Sequence, residues 1–183
     1  MNIVSAKEAY NKKAVVEMTK SFGYPNVMAV PRVMKVVVNV GIGKIVKEND
    51  KIEEIIESLR AITGQQPVKT KSRKAIAGFK VREGMEIGIK VTLRGKRMWD
   101  FIDRLVHATL PRTRDFQGIN RKAVDAGGNI NIGIREHMIF PEISPEKVRH
   151  IFGMQITVVS TAKTQAEGLE LFKLLGFPLK NDK

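Results

Sequence analysis

The sequence predicts an α+β fold: a mostly antiparallel sheet with helices packed on one face and the other face left open. Two observations predict it. Five segments alternate apolar and polar residues with period two, and four others carry apolar residues at helical spacing, in the order α β α β β α β β α. A strand whose every second residue is polar has one uncovered face, which favours antiparallel pairing with the helices confined to the other side. The 183 residues lie in the usual range for one domain, so a single unit spanning 1–183 is expected. Apolar residues make up 43% and only seven are proline, enough to bury a core and too ordered a composition for a disordered basic tail.

The first helix is expected to open with a capping box, Ser5-x-x-Glu8, and to carry the stripe Val15, Met18, Phe22. Gly23 supplies a left-handed stop, and Pro25 and Pro31 keep the following link extended. Residues 33–41 alternate, with Met34, Val36, Val38 and Val40 on one side and Val33, Lys35, Val37 and Asn39 on the other. Gly41-Ile42-Gly43-Lys44 follows, where a phosphate-binding turn would sit. Yet a dinucleotide fingerprint needs glycine where Val46 stands, and the P-loop spacing is missing, so the glycines are read as a sharp turn off the strand. A second helix runs from Asp50 as N-cap to Gly64, burying Ile52, Ile55, Ile56, Leu59 and Ile62.

Two more strands come next. Residues 67–73 set Val68, Thr70 and Ser72 against Lys69, Lys71 and Arg73, and residues 85–94 set Met85, Ile87, Ile89, Val91 and Leu93 against Glu86, Gly88, Lys90, Thr92 and Arg94. The loop of about ten residues between them is long for a hairpin, which points to function. It has too few apolar side chains to pack on the core, and mobility in the free protein is expected. A third helix spans about 96–110, stopped by Pro111. Ile130, Ile132 and Ile134 mark a fourth strand, Ser144-Pro145-Glu146 a short helix, and Ile156, Val158 and Ser160 a fifth strand. The last helix opens with Thr164-x-x-Glu167 and closes at Gly176.

Charge narrows the function. Lys and Arg outnumber Asp and Glu by 32 to 19, a formal charge of +13. Fifteen of those cations, against five acids, fall within residues 69–122. Lys69, Lys71, Arg73, Lys74, Lys80 and Arg82 follow one another with no acid between them, a density of unneutralised charge that calls for a polyanion. No segment approaches the roughly 18 consecutive apolar residues of a membrane span. Met1 to Glu8 lacks the basic and apolar regions of a targeting peptide. A cytoplasmic protein without a membrane partner is therefore expected, and nucleic acid is the remaining polyanion.

The absence of cysteine removes disulfides, Cys-ligated zinc, iron–sulfur clusters and thiol nucleophiles. His107, His137 and His150 have no second ligand at a zinc-helix spacing, and Asp100 and Asp103 read as exposed ion pairs with Arg97 and Arg104. No catalytic residue, metal ligand or cofactor is expected. The open faces of the first three strands carry no aromatic residue, which disfavours single-strand stacking and leaves recognition of a folded RNA by phosphate, 2′-hydroxyl and shape. Lys35 and Asn39 from strand one, Lys69 and Lys71 from strand two, and Lys90, Thr92 and Arg94 from strand three would form that platform. A free RNA-binding regulatory protein would show the same physics as a protein resident in a ribonucleoprotein.

A series of motifs then decides between them. Lys35-Val36-Val37-Val38-Asn39-Val40-Gly41-Ile42-Gly43, Ile62-Thr63-Gly64-Gln65-Gln66-Pro67, Ala75-Ile76-Ala77-Gly78-Phe79-Lys80-Val81-Arg82-Glu83-Gly84, Lys90-Val91-Thr92-Leu93-Arg94-Gly95 and Leu110-Pro111-Arg112-Thr113-Arg114-Asp115-Phe116 resemble, in order, the bacterial family of the fifth large-subunit ribosomal protein. Phe140-Pro141-Glu142-Ile143 and the closing Leu174-Leu175-Gly176 extend the likeness over nearly the whole chain. The resemblance implies a protein of the central protuberance that binds 5S rRNA, touches 23S rRNA and neighbouring large-subunit proteins, and bridges to a small-subunit head protein. It further implies that Asn39, Gln65 and Thr92 face 5S rRNA. The segment holding Arg73, Lys74, Ala77, Gly78, Phe79, Lys80 and Arg82 matches the family's loop to P-site tRNA. Where the family has Phe-Asp-Gly-Arg-Gly-Asn, this chain has Ala123-Val124-Asp125-Ala126-Gly127-Gly128-Asn129, and Phe152-Gly153-Met154-Gln155 replaces the family's Arg-Gly-Met-Asp.

Overall fold

Residues 5–180 are described by a computed structural model; the first four residues of the N-terminal reading lie outside them. Among the described residues, four helices and five strands follow in the expected order. Helix α1 comprises Ala6–Ala9, a π-helical turn Tyr10–Ala14 and Val15–Phe22. Then come β1 (Val33–Gly41), α2 (Asn49–Thr63), β2 (Val68–Lys71) and β3 (Glu86–Leu93). Helix α3 is Gly95–Arg104, continued by a π-helical turn Leu105–Thr109, and β4 (Ile130–Ile134), β5 (Met154–Ser160) and α4 (Gln165–Leu174) complete the chain. The strands form one antiparallel sheet in the order β2-β3-β1-β5-β4.

The chain divides into two compact units. The first takes Met1–Val36, Arg94–Ile132 and Thr157–Lys183. Here α1 packs on α3 and α4, burying Ala14 and Met18 with Phe101, Ile102, Leu105, Leu171 and Phe172. The expected capping box at Ser5 does not form. Asp103 of α3 caps α1 instead: its carboxylate accepts from the Ala6 amide at 2.6 Å and from the Ser5 hydroxyl at 2.8 Å. An ionised acceptor is stronger than a neutral one and ties two helices together, so Asp103 is a structural cap and not an exposed ion-pair partner. At α4 the expected box is present, with the Thr164 hydroxyl accepting from the Glu167 amide and the Glu167 carboxylate accepting from that of Thr164. Burial pushes the Glu167 carboxyl up, but bonds from the Lys163 amide, the Tyr24 hydroxyl and the Thr164 amide outweigh it and hold it below its ordinary value. Val124 is buried, and Asp125 and Asn129 close a turn, Asn129 donating its amide to Asp125 at 2.9 Å.

The second unit holds Val37–Leu93 and Gly133–Ile156. Helix α2 lays Ile52, Ile55, Leu59 and Ile62 on the sheet side formed by Val38, Val40, Ile89 and Val91. It begins two residues earlier than expected, at Asn49 with Glu48 in the N-cap position, and Glu48 makes no side-chain cap bond. Its other end is secured as expected: Gly64 is left-handed at φ 66° and donates to the Arg60 carbonyl. Gly41 and Gly43 have ordinary φ values and open space around them, so the turn after β1 does not depend on glycine; the buried Ile42 anchors it.

Residues 135–153 are fastened by two histidines. His137 lies past the end of β4 in a tight turn, not in a strand. It is buried and stacks on Phe152 with ring centroids 4.0 Å apart, its Nδ1 accepting the Phe152 amide. Glu54 of α2 accepts from the amides of Arg149 and His150 and meets His150 Nδ1 at 2.7 Å. Burial holds the His137 imidazole below its ordinary value, against opposing effects of the Phe152 backbone and the Glu54 charge. A histidine depressed in the folded state contributes stability that is complete above the unfolded value, about 6.5, and is lost as pH falls below it. The urea midpoint should therefore drop between about pH 7.5 and about pH 5.5 in the wild type and drop less in His137→Phe, which keeps the stack without the proton. An equal drop in both would show that His137 does not titrate the fold.

Candidate nucleic-acid interface

Alternation along β3 sends Ile89, Val91 and Leu93 into the core, leaving Gly88, Lys90 and Thr92 on the opposite face. The same parity along β1 buries Val38 and Val40 and leaves Val37 and the exposed Asn39 on the other side, with Lys35 continuing that row. Two strands thus present Asn39, Lys90 and Thr92 as expected. Gly88 is enclosed on this face: a Cβ there would stand 2.6 Å from Thr70 Oγ1, 3.5 Å from the Val40 carbonyl and 4.0 Å from Asn39 Oδ1. Two polar side chains from β2 and β1 therefore converge over a residue that has no side chain and form a shallow polar floor. Thr70 and Gly88 are site features that residue-type reasoning missed; the only signal was a glycine inside a strand pattern, which marks close approach.

Strand β2 corrects the expected platform. Its register opposes Val68 to Lys90, Lys69 to Ile89, Thr70 to Gly88 and Lys71 to Glu86, with a bulge between Thr70 and Lys71. Cross-strand partners project to the same side of a sheet. Val68 and Thr70 therefore share the open face with Lys90 and Gly88, while Lys69 and Lys71 fall on the side of Ile89. Lys69 Nζ meets Glu86 at 3.0 Å there. The alternation was right and its phase was inverted.

Gln65, after the end of α2, sits beside Thr92. Its Nε2 donates to the Thr92 carbonyl at 3.2 Å, and its amide donates to the Thr63 hydroxyl. In the register of β2 this carbonyl lies beyond the last paired residue, so Gln65 extends the strand by one side-chain bond. Arg94 is exposed and follows β3 as the residue before α3.

The 73–84 segment is a closed hairpin of its own. Ser72 donates to the Met85 carbonyl at 2.8 Å and accepts from Gly84 at 3.0 Å, closing the base. Ile76 and Val81 exchange both backbone bonds, at 2.9 and 3.2 Å, around a tip made of Ala77, Gly78, Phe79 and Lys80. Lys80 takes a left-handed φ of 53° to turn the chain back, a conformation that a non-glycine residue holds at some strain. Arg73, Lys74, Lys80 and Arg82 are all exposed, and Phe79 at the tip is 78% exposed. Among the described residues none of these four cations forms an ion pair. The hairpin offers an apolar knob ringed by positive charge, suited to a phosphate backbone and one apolar contact beside it.

Residues 26–82 match the family model described as Ribosomal protein L5, and residues 86–179 match the model for the C-terminus of the same ribosomal family. Large ribosomal subunit protein uL5 of Halothermothrix orenii is 50% identical over 171 residues, 93% of this chain and 96% of that one. Its namesake in Citrifermentans bemidjiense is 51% identical over 174 residues, covering 95% and 97%. The one in Geobacter sulfurreducens is 47% identical over 175, covering 96% and 98%. The chain belongs to the ribosomal protein L5 family: it is an RNA-binding structural constituent of the bacterial cytoplasmic ribosome and not an enzyme.

Proposed function

We propose that the open face built from β1, β3 and β2 binds 5S rRNA in the large subunit, with Asn39, Thr92 and Gln65 reading the RNA and Lys90, Lys35 and Arg94 neutralising its phosphates. The observation that carries this reading is the enclosure of Gly88 between Thr70 and Asn39, which gives a polar floor without aromatics, matched to a folded RNA rather than to stacked single-strand bases. Lys69 and Lys71, on the other side, add to the field and not to the contact. The exposed hairpin with Phe79 at its tip reaches P-site tRNA. Further contacts to 23S rRNA, neighbouring large-subunit proteins and a small-subunit head protein follow from membership of the central protuberance.

Asn39→Ala and Thr92→Ala tested in a filter-binding assay carry this reading. A lost specific hydrogen bond is worth about 1 kcal/mol, or about fivefold in affinity. Each variant should lose that much on 5S rRNA and little on an unrelated duplex. Equal losses on both RNAs would mean these residues serve the fold and not recognition. Sedimentation of the native protein with the large subunit, and not free, separates the resident protein from a free RNA-binding regulator.

A further inference from the structure

The sheet face holds no aromatic group for a base, yet one stands elsewhere in the first compact unit. A pocket of about 370 Å³ lies where α1, the start of β1 and α3 meet, lined by Tyr10, Trp99 and Met98, with Asn11, Lys7 and Arg32 among its polar groups. Its size falls within the range of small-ligand pockets. The Tyr10 and Trp99 rings are 6.0 Å apart and both are half-buried, while Met98 is buried beneath. Lys7 and Arg32 are exposed, and among the described residues neither has an acidic partner. No acidic residue lines the pocket, so its charge is complementary to an anion.

The backbone adds a second, independent mark. Helix α1 is π-helical over Tyr10–Ala14, and Tyr10 and Asn11, two of the three residues it lends to the pocket, open that turn. Such turns are rare and concentrate at functional positions. Arg32 lines the same pocket as Tyr10, and burial holds the Tyr10 hydroxyl above its ordinary value against the opposing Arg32 charge.

We propose that this pocket takes a single unpaired nucleotide of ribosomal RNA, its base against Trp99 and Tyr10, its edge met by Asn11 and its phosphate by Arg32 and Lys7. The inference rests on the chain's RNA-binding role and adds a base-inserting contact to a sheet face that reads only a folded surface. Aromatic stacking tolerates any base because each has a π face, and Asn11 and the cations fix the nucleotide's orientation.

Trp99 is the chain's single tryptophan, so its fluorescence reports the pocket directly. The full chain is titrated with single-stranded tetra-adenylate and with a blunt RNA duplex carrying as many phosphates. Saturable quenching by tetra-adenylate, and none by the duplex, is the expected result. Arg32→Ala, verified by an unchanged thermal unfolding curve, should weaken the tetra-adenylate titration about tenfold, the loss of one charge-assisted contact. Asn39→Ala should leave it unchanged. Quenching that does not saturate, that is equal for the two RNAs, or that persists unaltered in Arg32→Ala overturns the proposal. So does Trp99 emission that shifts with protein concentration without RNA, which would make a second copy the occupant. A chain that binds 5S rRNA but gives no Trp99 response refutes the pocket alone. One that gives the response but fails to bind 5S rRNA refutes the sheet face alone.

Discussion

Raising monovalent salt from about 50 to about 200 mM should lower the affinity for 5S rRNA by about a thousandfold or more, if about six phosphates are neutralised. The cations available for this are Lys35, Lys90 and Arg94, with those of the basic middle third around them, where fifteen Lys and Arg face only five acids. Each neutralised duplex phosphate releases counterions and contributes about 0.9 to the slope of log affinity against log salt. Lys90→Ala should reduce the magnitude of that slope by about 0.9. Lys69→Ala should leave it nearly unchanged, because that side chain faces the other side of the sheet and is paired with Glu86. A slope near zero would remove the electrostatic account. A larger slope change for Lys69→Ala than for Lys90→Ala would reverse the assignment of faces.

Deleting residues 75–81 should leave the fold and 5S binding nearly intact while lowering the retention of P-site tRNA on assembled ribosomes by about tenfold or more, since one stacked or apolar contact to a nucleotide is worth about 1–3 kcal/mol. The hairpin base is closed by the Ser72 bonds to Met85 and Gly84, which the deletion spares. What it removes is the Ile76–Val81 pair, the Phe79 knob and the Lys80 charge. Ribosomes with the shortened protein that hold P-site tRNA as well as wild type would show that the hairpin has another partner. Loss of 5S binding by the shortened protein would show that hairpin and sheet face act as one.

The features legible in the sequence are those fixed by local periodicity. Asn39 and Thr92 sit on the open side because strand pleat alone sets which residues share a face, and the valines and isoleucines beside them mark the buried side unambiguously. Strand β2 has no such marker: Val68 is 60% exposed, and with cations on one row and Val, Thr and Ser on the other, hydropathy cannot tell in from out. Its phase is set by pairing with β3, a tertiary fact. The failure at Ser5 has the same origin, because a carboxylate 98 residues away outcompetes the Glu8 that spacing nominated. The hairpin's internal bonds escaped for a different reason, since Ile76 and Val81 look like isolated apolar residues until the turn brings them together. The Trp99 pocket draws on three separate segments, and no single stretch of sequence announces it.

The central claim is that one face of the sheet, and not the whole basic surface, meets 5S rRNA. Acetylation of lysines with and without 5S rRNA, read residue by residue by mass spectrometry, tests it most directly. Lys90 should become unreactive in the complex, whereas Lys69 and Lys71, and Lys173 on α4 as a reference, should react as in the free protein. Protection of Lys69 and Lys71 with Lys90 left reactive would contradict the account.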